Sequence, residues 1–90
     1  MVNDASVTDD GLQAARQLLA AVLEMEEADI ADDAGIGRLA GWDSLAHMRL
    51  IMAMEAQMGT TLSPGNVVGI GSLQDVATVL SGGEVSVTGF

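Results

Sequence analysis

The residues with the clearest potential for chemistry lie together between Gly41 and His47. Ser44 follows the acidic residue Asp43, and His47 comes three positions later, which places the serine and the histidine on neighbouring turns of a helix. The Ser44 hydroxyl could belong to a first-turn residue without chemistry, or it could act as a nucleophile beside the histidine. The elements around this segment must decide between these roles.

A hydrolytic pair of Ser44 and His47 has little support in the sequence. The chain offers no third residue to orient the imidazole, no oxyanion hole and no Gly-x-Ser-x-Gly elbow. A small serine hydrolase is therefore a remote hypothesis, and we expect neither catalytic residues nor enzyme activity. His47 is instead expected at the boundary of the core, with one edge in water.

Two further segments resemble ligand sites only superficially. The acidic stretch 29–35 lacks the alternating acids and the closing glutamate of a calcium loop, so we interpret it as a solvated loop. The glycines of segment 35–37 do not follow a strand, which favours loop flexibility over nucleotide binding. The chain has no cysteine and hence no thiolate ligand for zinc. We expect no metal site.

The charge balance indicates which classes of partner are suitable. The 90 residues include 13 acidic residues and 3 arginines but no lysine, which gives a formal net charge of -10. Such a surface repels the phosphates of nucleic acids and anionic lipid headgroups, so neither nucleic acid nor a membrane is an expected partner. Basic patches on other proteins are favoured instead.

Length and hydropathy predict one cytoplasmic domain over residues 1–90, and we expect it to be a monomer. A chain of this length can bury one small core, and its apolar fraction of 49% argues against disorder. The longest fully apolar run, residues 50–54, is too short to span a bilayer. The chain shows no secretion signal, because no basic segment followed by an apolar stretch opens it.

Capping residues and apolar spacing predict an all-α fold, a small four-helix bundle with a long loop between helices 1 and 2. The first helix begins after Thr8 and continues to about Met25. The loop covers residues 26–41, and loops of this length in compact domains tend to be functional. Three apolar residues are expected to hold the loop against the core: Ile30, Ile36 and Leu39.

The second predicted helix begins at Asp43, continues to about Met58 and ends at Gly59. With about 100° per residue, it carries two apolar stripes. The core stripe comprises Leu50, Met54 and Met58, with His47 and Ile51 at its margin. The second stripe lies beside Ser44 and comprises Leu45, Met48 and Met52. Methionine suits surfaces that accept several partners, but helices wrapped around all sides of this one would also explain both stripes.

The third and fourth predicted helices are short. Residues 63–64, Ser-Pro, begin a very short helix through Val68, and Ser72 with Asp75 resembles a capping box for a helix to about Leu80. Residues 1–7 are expected to be a loose lead-in. The tail, residues 84–90, alternates Val85 and Val87 as a strand would, but it has no evident partner, so we expect disorder.

The segment Gly41-Trp42-Asp43-Ser44-Leu45 resembles the attachment motif of acyl carrier proteins, in which Asp-Ser-Leu begins the second helix. The resemblance extends over about residues 8–82. It implies that Ser44 receives 4'-phosphopantetheine from coenzyme A and that the arm carries acyl groups as thioesters. Asp43 is expected to cap the helix and orient the turn. Trp42 is expected to anchor the preceding loop by packing, with partner contact as a secondary role.

The resemblance also implies a set of partners: a phosphopantetheinyl transferase, an acyltransferase or acyl-ligase, and ketosynthase-type enzymes. Members of the family often have acidic residues just after the motif, where this chain has Ala46, His47 and Arg49. The pattern is most similar to freestanding carriers of specialised bacterial pathways such as polyketide assembly. General fatty-acid enzymes, which engage those acidic residues, are less suitable partners.

The partner surface is predicted to consist of Leu45, Met48, Arg49 and Met52. On this hypothesis Met48 and Met52 are exposed in the isolated domain while Leu50 and Met54 are buried. An alternative hypothesis uses the same face without any attached group: a non-carrier, acidic protein-interaction module that docks a helix or a basic enzyme.

Overall fold

The computed structural model describes residues 8–85, so the predictions for residues 1–7 and for residues 86–90, Val87 included, lie outside it. Within the described range the chain forms a small helical bundle, which confirms the all-α prediction. Its four α-helices are α1 (Asp9–Leu23), α2 (Ser44–Met58), α3 (Pro64–Gly69) and α4 (Leu73–Leu80). None of the described helices is long and apolar enough to cross a membrane.

Each helix begins where a side-chain oxygen accepts a hydrogen bond from a backbone N–H in its first turn. The Thr8 hydroxyl accepts from Gly11 at 2.9 Å, and the Ser63 hydroxyl accepts from Asn66 at 3.1 Å. The Ser72 hydroxyl accepts in the same way from the N–H of Asp75. The reciprocal half of the predicted capping box is wrong, because the Asp75 carboxylate accepts from the N–H of Gly71 at 3.0 Å and not from that of Ser72.

Helices α1 and α2 end at residues with left-handed backbone conformations. Gly59, with φ of 73°, ends α2 at the predicted position. The prediction for α1 is two residues too long: Glu24 adopts φ of 57°, which ends the helix at Leu23. A non-glycine residue is uncommon in this region, and the sequence gives no glycine or asparagine to mark the end.

The helices pack around one core. Helix α1 contacts both α2 and α4. The start of α1 lies beside the end of α4, since a Cβ atom on Gly11 would lie 3.6 Å from Ser81 Oγ. Met58 near the end of α2 and Val79 near the end of α4 line one surface pocket. The largest fully buried side chains come from all parts of the chain: Leu19, Trp42, Leu50, Met54, Ile70, Leu73, Val76 and Val79.

The long loop is held by polar contacts as well as by apolar ones. Arg16 on α1 donates from Nε to the Ile30 carbonyl at 3.0 Å and forms an ion pair with Asp32. The N–H of Ile36 donates to the Gly71 carbonyl at 3.0 Å, and the N–H of Leu73 donates to the Ala34 carbonyl at 3.0 Å. The loop therefore has defined positions along α1 and at the start of α4.

Two of the three predicted loop anchors are confirmed. Ile30 is buried, and Leu39 is partly buried against the core. Ile36 is wrong as an anchor: its backbone is tied to Gly71, but its side chain is 38% exposed. The loop also contains a single 3₁₀ turn, Glu27–Asp29, which the sequence pattern does not indicate.

The start of the tail has a partner, contrary to the expectation for it. The N–H of Val85 donates to the Asn66 side-chain oxygen at 2.9 Å, and the Val85 side chain packs against the core. Asn66 is the one buried polar residue in the described part of the chain. Because a buried amide needs partners, this bond explains why α3 tolerates an asparagine on its inner side.

Candidate functional site

Ser44 is the first residue of α2, and its side chain is exposed. Within residues 8–85 no hydrogen bond engages its hydroxyl. The capping role belongs to the preceding residue, because the Asp43 carboxylate accepts from the N–H of Ala46 at 2.9 Å. The prediction that Asp43 caps α2 is confirmed, and the cap leaves the serine hydroxyl available for chemistry.

The backbone at this end of α2 suits a phosphate ester. The N–H of Ala46 is taken by the Asp43 side chain and that of His47 by the Asp43 carbonyl, at 2.8 Å. The N–H groups of Ser44 and Leu45 have no acceptor among the described residues. The first turn of a helix also carries the positive end of its dipole, which favours an anion at the Ser44 oxygen. The residues present therefore fit a phosphate diester at this position.

The His47 side chain makes its hydrogen bonds to residues other than Ser44. The indole N–H of Trp42 donates to His47 Nδ1 at 3.1 Å, and His47 Nε2 lies 3.1 Å from the Val67 carbonyl oxygen. Both ring nitrogens are thus engaged away from the serine, which argues against a hydrolytic pair. The expected boundary position is confirmed, because His47 is partly exposed, and the loop and α3 supply partners for its two ring nitrogens.

Trp42 anchors the turn that leads into α2. The side chain is 1% exposed and lies beside the His47 imidazole, with ring centroids 6.2 Å apart and planes 23° from parallel. Its carbonyl accepts from the N–H of Gly37 at 3.1 Å. The prediction of a packing anchor is confirmed. The secondary role in partner contact is wrong for this structure, because almost no surface of the indole is accessible.

An exposed apolar face lies along α2 beside Ser44. Leu45, Met48 and Met52 are 64%, 52% and 65% exposed, whereas Leu50 and Met54 are fully buried. The prediction of two stripes is confirmed, and the alternative in which other helices cover α2 on all sides is wrong. We call Leu45, Met48 and Met52 the α2 face.

The core stripe of α2 differs from the prediction at two positions. Ile51, expected at the margin, is buried at 4% exposure, and Met58, expected in the core, is only partly buried. Sequence reasoning also missed Val68, which is 67% exposed on α3. The adjacent pair Val67–Val68 could have indicated it, because a six-residue helix that packs on one side exposes one of two neighbouring residues.

The charges of α2 differ from those of the rest of the chain. Its charged residues are Arg49 and Glu55, which cancel, so the whole formal net charge of -10 lies outside this helix. Arg49 is exposed and has no acidic partner in the described part of the chain, where the ion pair is that of Arg16 with Asp32. Glu55 accepts from the N–H of Leu62 at 2.9 Å and so serves the turn after α2.

The family comparison agrees with this geometry. A family model described as a phosphopantetheine attachment site matches residues 13–80, which include Ser44, the α2 face and most of the core. The comparison with curated proteins gives no match.

Proposed function

The chain belongs to the phosphopantetheine attachment family, and from this premise we propose that it is an acyl carrier protein whose attachment residue is Ser44. The cofactor is 4'-phosphopantetheine, which this family attaches covalently. Domains of this family bear the group and are not themselves catalytic. The observation that carries the assignment of Ser44 is its exposed hydroxyl on the first turn of α2, which has no hydrogen bond within residues 8–85.

The proposed loading step uses few groups of this chain. Ser44 Oγ forms a phosphoester bond to the phosphorus that bears pantetheine in coenzyme A, the diphosphate P–O bond breaks, and 3',5'-adenosine bisphosphate leaves. The hydroxyl proton goes to a base of the transferase, because the Asp43 carboxylate is engaged as the helix cap. The N–H groups of Ser44 and Leu45, at the positive end of the helix dipole, would stabilise the charge of the phosphate diester.

Once attached, the arm supplies a thiol that holds acyl groups as thioesters. The chain presents this arm on an exposed first turn, while Trp42 and Asp43 fix the backbone on either side of the turn. Water exclusion and acid–base catalysis are left to the enzymes that receive the arm. The domain therefore positions and delivers the acyl group, and it does not transform it.

Partner enzymes are proposed to dock on the α2 face, with Arg49 at its edge. A phosphopantetheinyl transferase, an acyltransferase or acyl-ligase and ketosynthase-type enzymes all need access to the same arm. An apolar face adjacent to Ser44 gives each of them a common contact, and its two methionines can repack against differently shaped surfaces.

The pathway is proposed to be a specialised bacterial one, such as polyketide assembly, in the cytoplasm and with the carrier as a monomer. The support is the charge of α2, which sums to zero and places a cation, Arg49, on an exposed position. Enzymes of fatty-acid synthesis that engage an acidic α2 would find few carboxylates here. Enzymes with a largely apolar docking site suit this helix better.

The experiment is incubation with coenzyme A and a broad-specificity phosphopantetheinyl transferase, followed by intact-mass measurement. We expect the wild type to gain the mass of one phosphopantetheine and Ser44→Ala to gain none. The matched control is Ser81→Ala, because Ser81 is another exposed serine whose side chain makes no hydrogen bond within residues 8–85. Circular dichroism should be unchanged in both variants, since alanine is a good helix former.

The alternative hypothesis, a non-carrier module that docks through the α2 face, predicts a different result. In that case the wild type stays unmodified although it is folded. If the Ser44→Ala protein is still modified, the chain is a carrier but its attachment residue is not Ser44. A hydrolase would reveal itself by cleaving a test ester in a reaction that requires both Ser44 and His47.

A further inference from the structure

One hydrogen-bonded chain joins three parts of the molecule next to the modification site. It runs from the Trp42 indole, in the loop, through the His47 imidazole on α2 to the Val67 carbonyl on α3. Both bonds are 3.1 Å long. Ser44 lies between Trp42 and His47 in sequence. These hydrogen bonds therefore hold the residues on both sides of the turn that presents the Ser44 hydroxyl.

The partners of His47 fix its protonation state. An indole N–H can only donate, so Nδ1 of His47 must be an unprotonated acceptor. The ring proton therefore resides on Nε2, which donates to the Val67 carbonyl. The structure thus requires the neutral imidazole with its proton on Nε2.

A second proton on His47 is incompatible with this arrangement. The imidazolium has N–H groups on both nitrogens, so the Trp42 N–H and the new Nδ1–H would be two donors 3.1 Å apart. Trp42 is 1% exposed, so water cannot easily replace the lost acceptor. Protonation would keep the bond to Val67 and release Trp42.

The charged groups near His47 do not compensate for this conflict. Asp43, just before α2, is committed to the helix cap. On α2, Arg49 is a cation and Glu55 accepts from the turn after the helix. On the loop, the Arg38 guanidinium bonds the Asp33 carbonyl. Helix α3 has no titratable residue. Among the described residues, no carboxylate forms an ion pair with His47 that would stabilise its charged form.

From this geometry we infer that His47 is a positioning residue that fixes the Ser44 turn through Trp42 and Val67, and that its protonation releases Trp42 and lowers delivery of the serine to the transferase. Only the effect on delivery of Ser44 to the transferase rests on the proposed function. The hold of His47 on Trp42 and its loss on protonation concern the isolated, unmodified protein.

The first test follows the Trp42 indole N–H by NMR while the pH is lowered. The chain has one tryptophan, so its spectrum contains one such signal. As acid adds a second proton to His47, we expect the signal to shift and to exchange faster with water, because the Trp42 N–H loses its acceptor. In His47→Gln, which has a donor and an acceptor but does not titrate, the signal should stay in place. An indole signal that is unchanged in the wild type, or that moves equally in both proteins, overturns the inference.

The second test compares transferase loading of the two proteins over the same pH range. The ratio of their kcat/KM values cancels the pH dependence of the transferase itself. Loss of one buried hydrogen bond corresponds to roughly a fivefold effect, so we expect the wild type to lose about this factor relative to His47→Gln at low pH. His47→Leu should be slow at every pH, and circular dichroism shows whether it is folded.

The outcomes separate the two proposals. If the indole signal titrates but the kcat/KM ratio stays constant, His47 does not position Ser44, and the inference is wrong. If the wild type is not loaded at any pH, the proposed function fails instead, while the indole titration still decides whether His47 holds Trp42.

Discussion

Replacing a methionine of the α2 face with glutamate should weaken acyl transfer without unfolding the domain. Met48 and Met52 are 52% and 65% exposed, so a charged side chain at either position stays in water in the isolated protein. The same change at Met54, which is fully buried, would place a carboxylate in the core, where it has no partner. The three positions lie on one helix and differ in burial.

The size of the effect follows from the exposed fraction. Full burial of a methionine side chain is worth about 1.5–3 kcal/mol. Burying the exposed half to two-thirds of Met48 or Met52 under a partner would therefore contribute about 0.8–2 kcal/mol. Loss of this contribution corresponds to roughly a fourfold to thirtyfold decrease in kcat/KM, and desolvation of the new carboxylate would add to it.

The assay measures acyl transfer to the phosphopantetheinylated protein by a cognate acyltransferase, together with thermal unfolding. Gln57→Glu is the matched control, because it adds the same charge at an exposed position of α2 outside the α2 face. We expect Met48→Glu and Met52→Glu to lower kcat/KM while their Tm values stay near that of Gln57→Glu. The reasoning is refuted if Met48→Glu unfolds the domain as Met54→Glu does, or if Gln57→Glu lowers transfer equally.

Three further predictions concern stability and charge. Met54→Ala should lower the free energy of unfolding by about 2–5 kcal/mol in urea titrations, because it leaves a cavity in the core; a value near zero would mean that α2 repacks. Asp43→Ala removes the cap of α2 and should cost about 1 kcal/mol in the same titration, whereas an unchanged midpoint would show that water replaces the cap. Arg49→Glu should lower kcat/KM by up to about fivefold with a partner that has a carboxylate at the docking site, while Arg38→Glu, the same charge change away from α2, should not. Faster transfer by Arg49→Glu would indicate a basic partner surface instead.

The parts of the fold that could be predicted depend on neighbours in sequence. Thr8 and Ser63 cap their helices through N–H groups three residues later, so the residue types alone locate these starts. The burial of Leu50 and the exposure of Met48 follow from helical periodicity, which fixes their faces once the helix is known. Local rules succeed here because each partner lies within one or two helical turns.

The parts that could not be predicted depend on contacts between distant residues. The partner of His47 on α3 is 20 residues away in sequence, and the partner of the Val85 N–H is 19 residues away. The backbone N–H of Ile36, whose side chain is exposed, donates to the Gly71 carbonyl 35 positions further on. Periodicity in the sequence does not indicate such pairings, so it predicts the boundary position of His47 but not the partners of its two ring nitrogens.

Different residues of the site cap the helix, hold the turn and form the exposed face. Asp43 caps the helix, so the hydroxyl beside it is left without a hydrogen bond. Trp42 and His47 hold the turn from the inside, so the residues that face outward need no structural role. The α2 face can therefore vary with the partner, because its side chains contribute little to the stability of the isolated domain. All acidic residues except Glu55 lie outside α2 and set the long-range field of the chain, while the proposed short-range contact on α2 would depend on apolar area and one arginine. A carrier built this way can change its partners by surface substitutions alone, without disturbing the turn that presents Ser44.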